Sequence, residues 1–249
     1  MNTTDEILAL AAGVMADGAE ITVTEADVAA FRTAVARGQG SAVVRALLAI
    51  RPALAYPAPP SGPFLGDAAW TAWLTAAATS DGAAVAADGA RAAGEAAVDA
   101  GERTAGAPRP VWCSVFGAAI ALTDPPGSAP VHASVTAAIA AGLGAAAIVE
   151  SRLDDWDGWS SGTVAAAIGA GVTAGLLLGL AGPRLRAAIG ICATQAAGLR
   201  AAAGTDAFPL QVGKAAFNGV EAALLARAGL TAPDEPLDGR RGLFALFGS

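Results

Sequence analysis

From Gly162 to Leu180 the chain carries no charged side chain and is built mostly from Ala, Gly, Thr and a few aliphatic residues. A run of that length and composition restricts the fold more than any other feature. Its small side chains let neighbouring helices approach closely, and a helix apolar all round must be covered on every side. Ala/Gly-rich helical composition, here with a few charges, recurs from Gly182 to Arg200 and from Gly213 to Ala228, and uncharged apolar stretches lie at Val111–Leu122 and Ser134–Val149. No stretch alternates apolar and polar residues as a half-buried strand does, and no tandem repeat of fixed period is present. These features predict an all-α helical bundle.

A bilayer is the other environment that accepts an uncharged run. Thr163–Gly182 has about the length of a span, and Val131–Val149 also lacks a full charge. Ala, Gly and Thr insert far more weakly than Leu, Ile or Phe, and the arginines do not gather on one side of either run. Close-packed helices in water are therefore expected, with no membrane partner.

Composition narrows the function classes. The 249 residues are 54% hydrophobic but only 5% aromatic, so each Trp has to be placed. A net charge of -7 argues against a nucleic-acid partner, which demands a positive surface. Lys214 is the only lysine and His132 the only histidine. With no CxxC motif and one histidine, no metal centre is expected. Cys113 and Cys192 lie far apart in apolar contexts and read as buried free thiols. The N-terminus MNTTDEILAL lacks the basic start of a secretory signal, which points to the cytoplasm.

In order along the chain, helices are expected at Asp5–Ala16, with Thr3 or Thr4 as N-cap, and at Thr24–Arg37. There Thr24 and Asp27 have capping-box spacing. A third is expected at Ser41–Ile50. Five prolines between Arg51 and Pro63 then suggest an extended connector. The expected organisation is N-terminal helices at 1–50, a Pro-rich connector at 51–66 and the main bundle at 67–249, together forming one compact body. Asp67–Thr79 and Ala83–Ala100 begin that bundle. Gly229 is expected to close the helix ending at Ala228.

The chemically mixed segment is Ser151–Ser161, in which Asp154, Asp155 and Asp157 surround Trp156 and precede Trp159. The three aspartates lack the glycine and distant glutamate of a calcium loop, so a solvated turn is expected. Ser160, Ser161 and Thr163 stand before a helix, where free N–H groups and a positive dipole end favour an anion; they also suit plain caps. Lys214, near a helix start, could reach a carboxylate. His132, after Ala-Pro-Val, suits a surface or capping role.

Several of these segments, in one order, resemble the MmgE/PrpD family of 2-methylcitrate dehydratases and cis-aconitate decarboxylases. They are Gly117-Ala-Ala-Ile-Ala-Leu122, Ala137-Ala-Ile-Ala-Ala-Gly142, Gly158-Trp-Ser-Ser-Gly-Thr163 and Leu177-Leu-Gly-Leu180. Ala188-Ile-Gly-Ile-Cys-Ala-Thr-Gln-Ala-Ala-Gly-Leu199, Gly213-Lys-Ala-Ala-Phe-Asn-Gly219 and Asp238-Gly-Arg-Arg-Gly-Leu-Phe244 complete the series. The likeness runs from Asp67 to Phe247 and implies the family's helical domain without its second, α/β domain. It departs where the family usually carries its reactive groups. Ser160 replaces the histidine of the Gly-Trp-His turn, Phe208 stands near the usual lysine, Arg109-Pro110 replaces His-Pro, and Ser80-Asp81 replaces Asp-Asp.

What the resemblance implies is a small-molecule lyase or isomerase, working without a cofactor, with the usual His/Lys set replaced. Asp81 would be its acid/base and Ser160 its partner in catalysis and anion binding. Trp112, Trp159, Thr163 and Lys214 would line the site for a small carboxylic acid. Family members dimerise through this domain, so a homodimer is implied. The alternative is a non-catalytic pseudoenzyme or dimerising partner subunit.

Overall fold

The computed structural model describes residues 1–17, 21–54, 66–80, 110–124, 133–153 and 158–247. The described residues form helices and connecting turns, with no strand beyond one isolated bridge. In chain order the helices are α1 (Thr3–Asp17), α2 (Glu25–Gly38), α3 (Ala42–Leu54), α4 (Gly66–Ser80) and α5 (Pro110–Thr123). They continue with α6 (Val135–Glu150), α7 (Ser161–Leu177), α8 (Gly182–Gln195), α9 (Ala207–Arg227) and the short α10 (Leu243–Phe247). The all-α expectation holds.

The uncharged run becomes α7, and every residue from Gly162 to Leu177 is buried. α5, α6, α8 and α9 surround it. That enclosure explains why the sequence of α7 shows no apolar stripe: a helix covered on all sides needs none. None of the described helices is long and apolar enough to cross a membrane.

Small residues set how close the helices come. At the α6–α7 crossing Gly142 and Gly169 face each other. A Cβ built on either would lie 2.6 Å from the other's carbonyl oxygen. Thr173 Oγ1 donates to the Ala138 carbonyl at 3.2 Å across the same contact. At the α7–α9 crossing a Cβ on Gly219 would lie 2.6 Å from the Ala170 Cβ and 2.6 Å from the Gly171 amide nitrogen. Packing density in protein interiors leaves no slack for such an atom.

The helix ends follow local chemistry. Thr24 and Asp27 form the expected capping box, with Asp27 N–H on Thr24 Oγ1 at 3.3 Å and Thr24 N–H on Asp27 Oδ2 at 2.8 Å. Gly229, at φ 101°, closes α9 as expected: Leu230 N–H reaches the Leu225 carbonyl at 3.0 Å and Gly229 N–H that of Ala226 at 3.1 Å.

Several ends differ from expectation. Asn2, not Thr3 or Thr4, caps α1, accepting the Asp5 N–H at 2.8 Å. Thr3 is instead gripped by Asp238, which takes its N–H and its hydroxyl, each at 2.6 Å. α3 continues through Pro52 to Leu54, four residues beyond the expected end at Ile50. α9 begins at Ala207 rather than Gly213, since Pro209 falls in its first turn, where a missing N–H costs nothing.

α1 sits in the main core through Ile7, Ala11 and Val14, and α2 through Val28. A smaller cluster joins α3 to α4 through Val43, Val44, Leu47, Trp70 and Ala77. The tail after α9 returns to α1. Besides the Asp238 contacts, Arg186 bonds Asp5 at 2.5 Å and the Asp234 carbonyl at 3.0 Å, while Arg152 reaches Thr3 and Glu6. Asp238→Ala removes the acceptors for two orphan donors at a helix start. It should cost about 1–2 kcal/mol, read as a lower urea midpoint at unchanged slope.

Candidate functional site

Two of the buried polar residues, Ser160 and Thr163, stand at the N-terminal end of α7. Ser160 is its N-cap residue, 1% exposed, with φ -85° and ψ 97°. An N-cap serine ordinarily turns its hydroxyl onto the N–H of the second or third helical residue. Here it does not. Thr163, itself fully buried, holds the turn instead: its Oγ1 donates to the Ser160 carbonyl at 2.9 Å and its N–H to the same oxygen at 3.1 Å. The Ser160 hydroxyl is left buried with no hydrogen-bond partner.

The segment following α8 closes over this turn. The sequence suggests helix up to Arg200, but α8 stops at Gln195 and Ala196 is extended at φ -64°, ψ 127°. Side chains of α9 take over the backbone groups there. Asn218 Nδ2 donates to the Gln195 carbonyl at 3.0 Å. The Gln211 amide clasps Leu199 on both sides, accepting its N–H at 3.0 Å and donating to its carbonyl at 3.3 Å. The freed strand-like piece pairs with the Trp159 turn. Ser160 N–H donates to the Gly198 carbonyl and Arg200 N–H to the Gly158 carbonyl, both at 3.1 Å, with Trp159 and Leu199 as the bridge pair.

Gly198 is required by this closure. A Cβ there would overlap Thr163 Oγ1, lie 2.9 Å from Thr163 Cβ and lie 3.4 Å from Ser160 Cβ. A second unpaired acceptor lies at the near end of the same segment. Gln195 Oε1 is buried without a donor, while its Nε2 donates to Glu221 at 3.2 Å.

The structure thus brings Trp159, Ser160 and Thr163 together. Trp159 is partly buried against the main core. Lys214 belongs to another group on α9 and α4. Its Nζ lies 3.6 Å from the Phe217 ring centroid and 5.0 Å from that of Trp73. Burial lowers its pKa from the ordinary lysine value, and the field of Glu221 opposes this. Trp112 stands in a third group, stacked on Phe116 at 5.0 Å, with Phe31 beyond. Asp81, His132, Arg109, Asp154, Asp155, Trp156 and Asp157 lie outside the described residues, as does Ala83–Ala100.

Cys113 and Cys192 are free and buried, as expected, and burial pushes both thiols up to about 12, so neither is a nucleophile at neutral pH. Among the described residues no group of three or more His, Cys, Asp or Glu side chains is placed to hold a metal ion. Gln195, Gly198, Gln211 and Asn218 were not singled out from the sequence. A signal existed: Gln211, Lys214, Asn218 and Glu221 recur at helical spacing in an otherwise Ala-rich stretch. Starting that helix at Gly213 conceals its first member.

The family model of the MmgE/PrpD N-terminal domain matches residues 105–249. Its start lies later than the Asp67 suggested by the motifs. No curated protein matches the chain. The matched stretch contains α5 to α10, including α7, the Trp159 turn and the Gln195–Arg200 segment that closes it. With more than half its length covered by that model and its described residues helical, the chain belongs to the MmgE/PrpD family, through that family's N-terminal domain.

Proposed function

We propose that the chain is a small-molecule lyase or isomerase on this dehydratase-like scaffold, and that it seats a small carboxylic acid at the N-terminal end of α7. One observation carries the reading: the Ser160 hydroxyl is buried at a helix start and has no partner. An unsatisfied buried hydroxyl costs about 1–3 kcal/mol, which a ligand oxygen would recover. The first N–H groups of α7 and its positive dipole end favour an anion at the same place.

In this reading Ser160 donates to the substrate carboxylate. Thr163 is a positioning residue, acting through the Ser160 carbonyl that it holds. Trp159 supplies an apolar wall. Asp81, which follows the last residue of α4 in the sequence, is the acid/base, on the strength of the family resemblance. Such a base works best when its pKa lies near the operating pH.

Calorimetric titration with cis-aconitate, 2-methylcitrate and simpler dicarboxylates tests the seat. A charge-assisted hydrogen bond contributes about 1.5–3 kcal/mol, so Ser160→Ala should weaken binding roughly 10- to 100-fold. Asp81→Asn should remove turnover and leave binding nearly intact. Equal affinities for the wild-type chain and Ser160→Ala, or no binding by either, would sink the assignment.

A further inference from the structure

The Ser160 hydroxyl is buried, so a seat there needs a route by which a ligand oxygen arrives. Over it lies the segment Ala196–Arg200, whose Gly198 rests against Ser160 and Thr163. This segment is held differently from the helices around it. Its one large apolar side chain, Leu199, is 55% exposed, Ala197 is exposed and Gly198 has none. Hydrogen bonds, more than burial, tie it down. Ser160 N–H donates to the Gly198 carbonyl, Arg200 N–H donates to the Gly158 carbonyl, and the Gln211 amide clasps Leu199 on both sides. A segment with few buried apolar contacts opens at lower free energy than the core beside it. Both ends permit this. α8 has already stopped at Gln195, and the chain turns again at Gly204, whose φ of 77° suits glycine.

We infer that Ala196–Arg200 is a gate, and that its lifting uncovers the Ser160 hydroxyl and admits a carboxylate. The inference rests on the Ser160 seat and adds how that seat is entered. In the closed chain the Gly198 carbonyl occupies the Ser160 N–H. When the gate lifts, a carboxylate oxygen takes the place that carbonyl leaves, next to the waiting hydroxyl, and no donor of the turn stays unpaired. The bound form therefore carries the gate raised. The Gln211 clasp belongs to the closed form alone, since one amide can hold the N–H and the carbonyl of Leu199 only while Leu199 stays beside α9. Weakening the clasp raises the open fraction, and the apparent dissociation constant falls by the same factor.

Hydrogen exchange of the full chain without ligand, read by peptide fragmentation, tests the opening. The Ser160 and Arg200 amides should exchange together, at least about 100-fold faster than amides in the middle of α7. Gln211→Met keeps a long, helix-forming side chain and removes both clasping bonds. It should speed exchange at Ser160 and Arg200 about tenfold and tighten dicarboxylate binding, read by calorimetry, by that same factor. A clasp that only held the binding form together would give weaker binding instead. The converse experiment locks the gate. Trp159 and Leu199 are the bridge pair flanked by the two backbone bonds, a pair type with Cα atoms about 4.5 Å apart and within disulfide reach. Oxidised Trp159→Cys/Leu199→Cys should exchange at Ser160 and Arg200 at least about tenfold more slowly than the same protein reduced. Circular dichroism checks that both variants are folded. Exchange at Ser160 and Arg200 no faster than in α7, equal rates in the two redox forms, or Gln211→Met binding no tighter than wild type overturns the gate. Absence of dicarboxylate binding by the wild-type chain sinks the seat, while the exchange rates still decide the opening, so the two fail separately.

Discussion

Gly219→Val is expected to lower the thermal midpoint by about 10 °C, or to stop the chain folding. The added Cβ would sit 2.6 Å from the Ala170 Cβ and from the Gly171 amide nitrogen, so atoms of the α7 backbone, not a flexible side-chain end, are in the way. Overpacking a tight core costs about 1–3 kcal/mol and occasionally more, and here α7 cannot retreat because α5, α6 and α8 hold its other sides. At about 2–4 °C per kcal/mol for a chain of this size, a cost near 3 kcal/mol gives the stated shift. Gly13→Ala is the control. Gly13 lies within α1 with nothing within 4 Å of an added Cβ, so alanine should stabilise by about 0.5–1 kcal/mol. If both variants melt like the wild-type chain, close helix approach through small residues is not what holds the bundle.

The second large effect is expected on binding. Gly198→Ala should weaken dicarboxylate binding by more than about 100-fold, roughly 2.7 kcal/mol, while leaving the helical signal nearly intact. Its methyl group would occupy the place of Thr163 Oγ1, whose bond to the Ser160 carbonyl fixes the α7 start. Moving Thr163 therefore moves the hydroxyl proposed to meet the substrate. A double-mutant cycle separates packing from binding. Gly198→Ala with Thr163→Ala should regain much of the stability lost by Gly198→Ala alone, because the obstructing atoms are gone. Binding should stay weak, because nothing then holds the Ser160 carbonyl. Full binding by Gly198→Ala would place the ligand elsewhere.

How far the sequence could be read depends on what kind of physical signal each element leaves. α7 was legible because nineteen residues from Gly162 to Leu180 without a charge leave few alternatives. The caps at Thr24 and Gly229 were legible because each is set by chemistry within a few residues. The end of α8 was not. Ala196 to Leu199 is composed like the helix before it, and what turns it extended is Gln211 and Asn218 on a helix still to come. At α1 the cap, Asn2, is local, but what occupies Thr3 instead is Asp238, 235 residues distant and not legible nearby.

The candidate site shows the same division. Ser160 and Thr163 were visible as polar residues before a helix, but not the reversal of their roles. Spacing alone cannot show that Thr163 would take the N-cap carbonyl and leave the Ser160 hydroxyl unused. Lys214 is visible as the lone lysine, with Phe217 three residues on along the same helix, whereas the Trp73 ring comes from another helix and cannot be read locally. Trp112 shares a helix with the core residue Phe116, and the ring stack between them is a tertiary fact that helical spacing only permits.

The proposed seat at the start of α7 is tested most directly by a crystal structure of the chain grown with a saturating dicarboxylate. A carboxylate oxygen is expected within hydrogen-bond distance of Ser160 Oγ, beside the first N–H groups of α7, with the Thr163–Ser160 bond unchanged. Ligand density elsewhere, with the Ser160 hydroxyl bonded to a protein group or still unpaired, would contradict it.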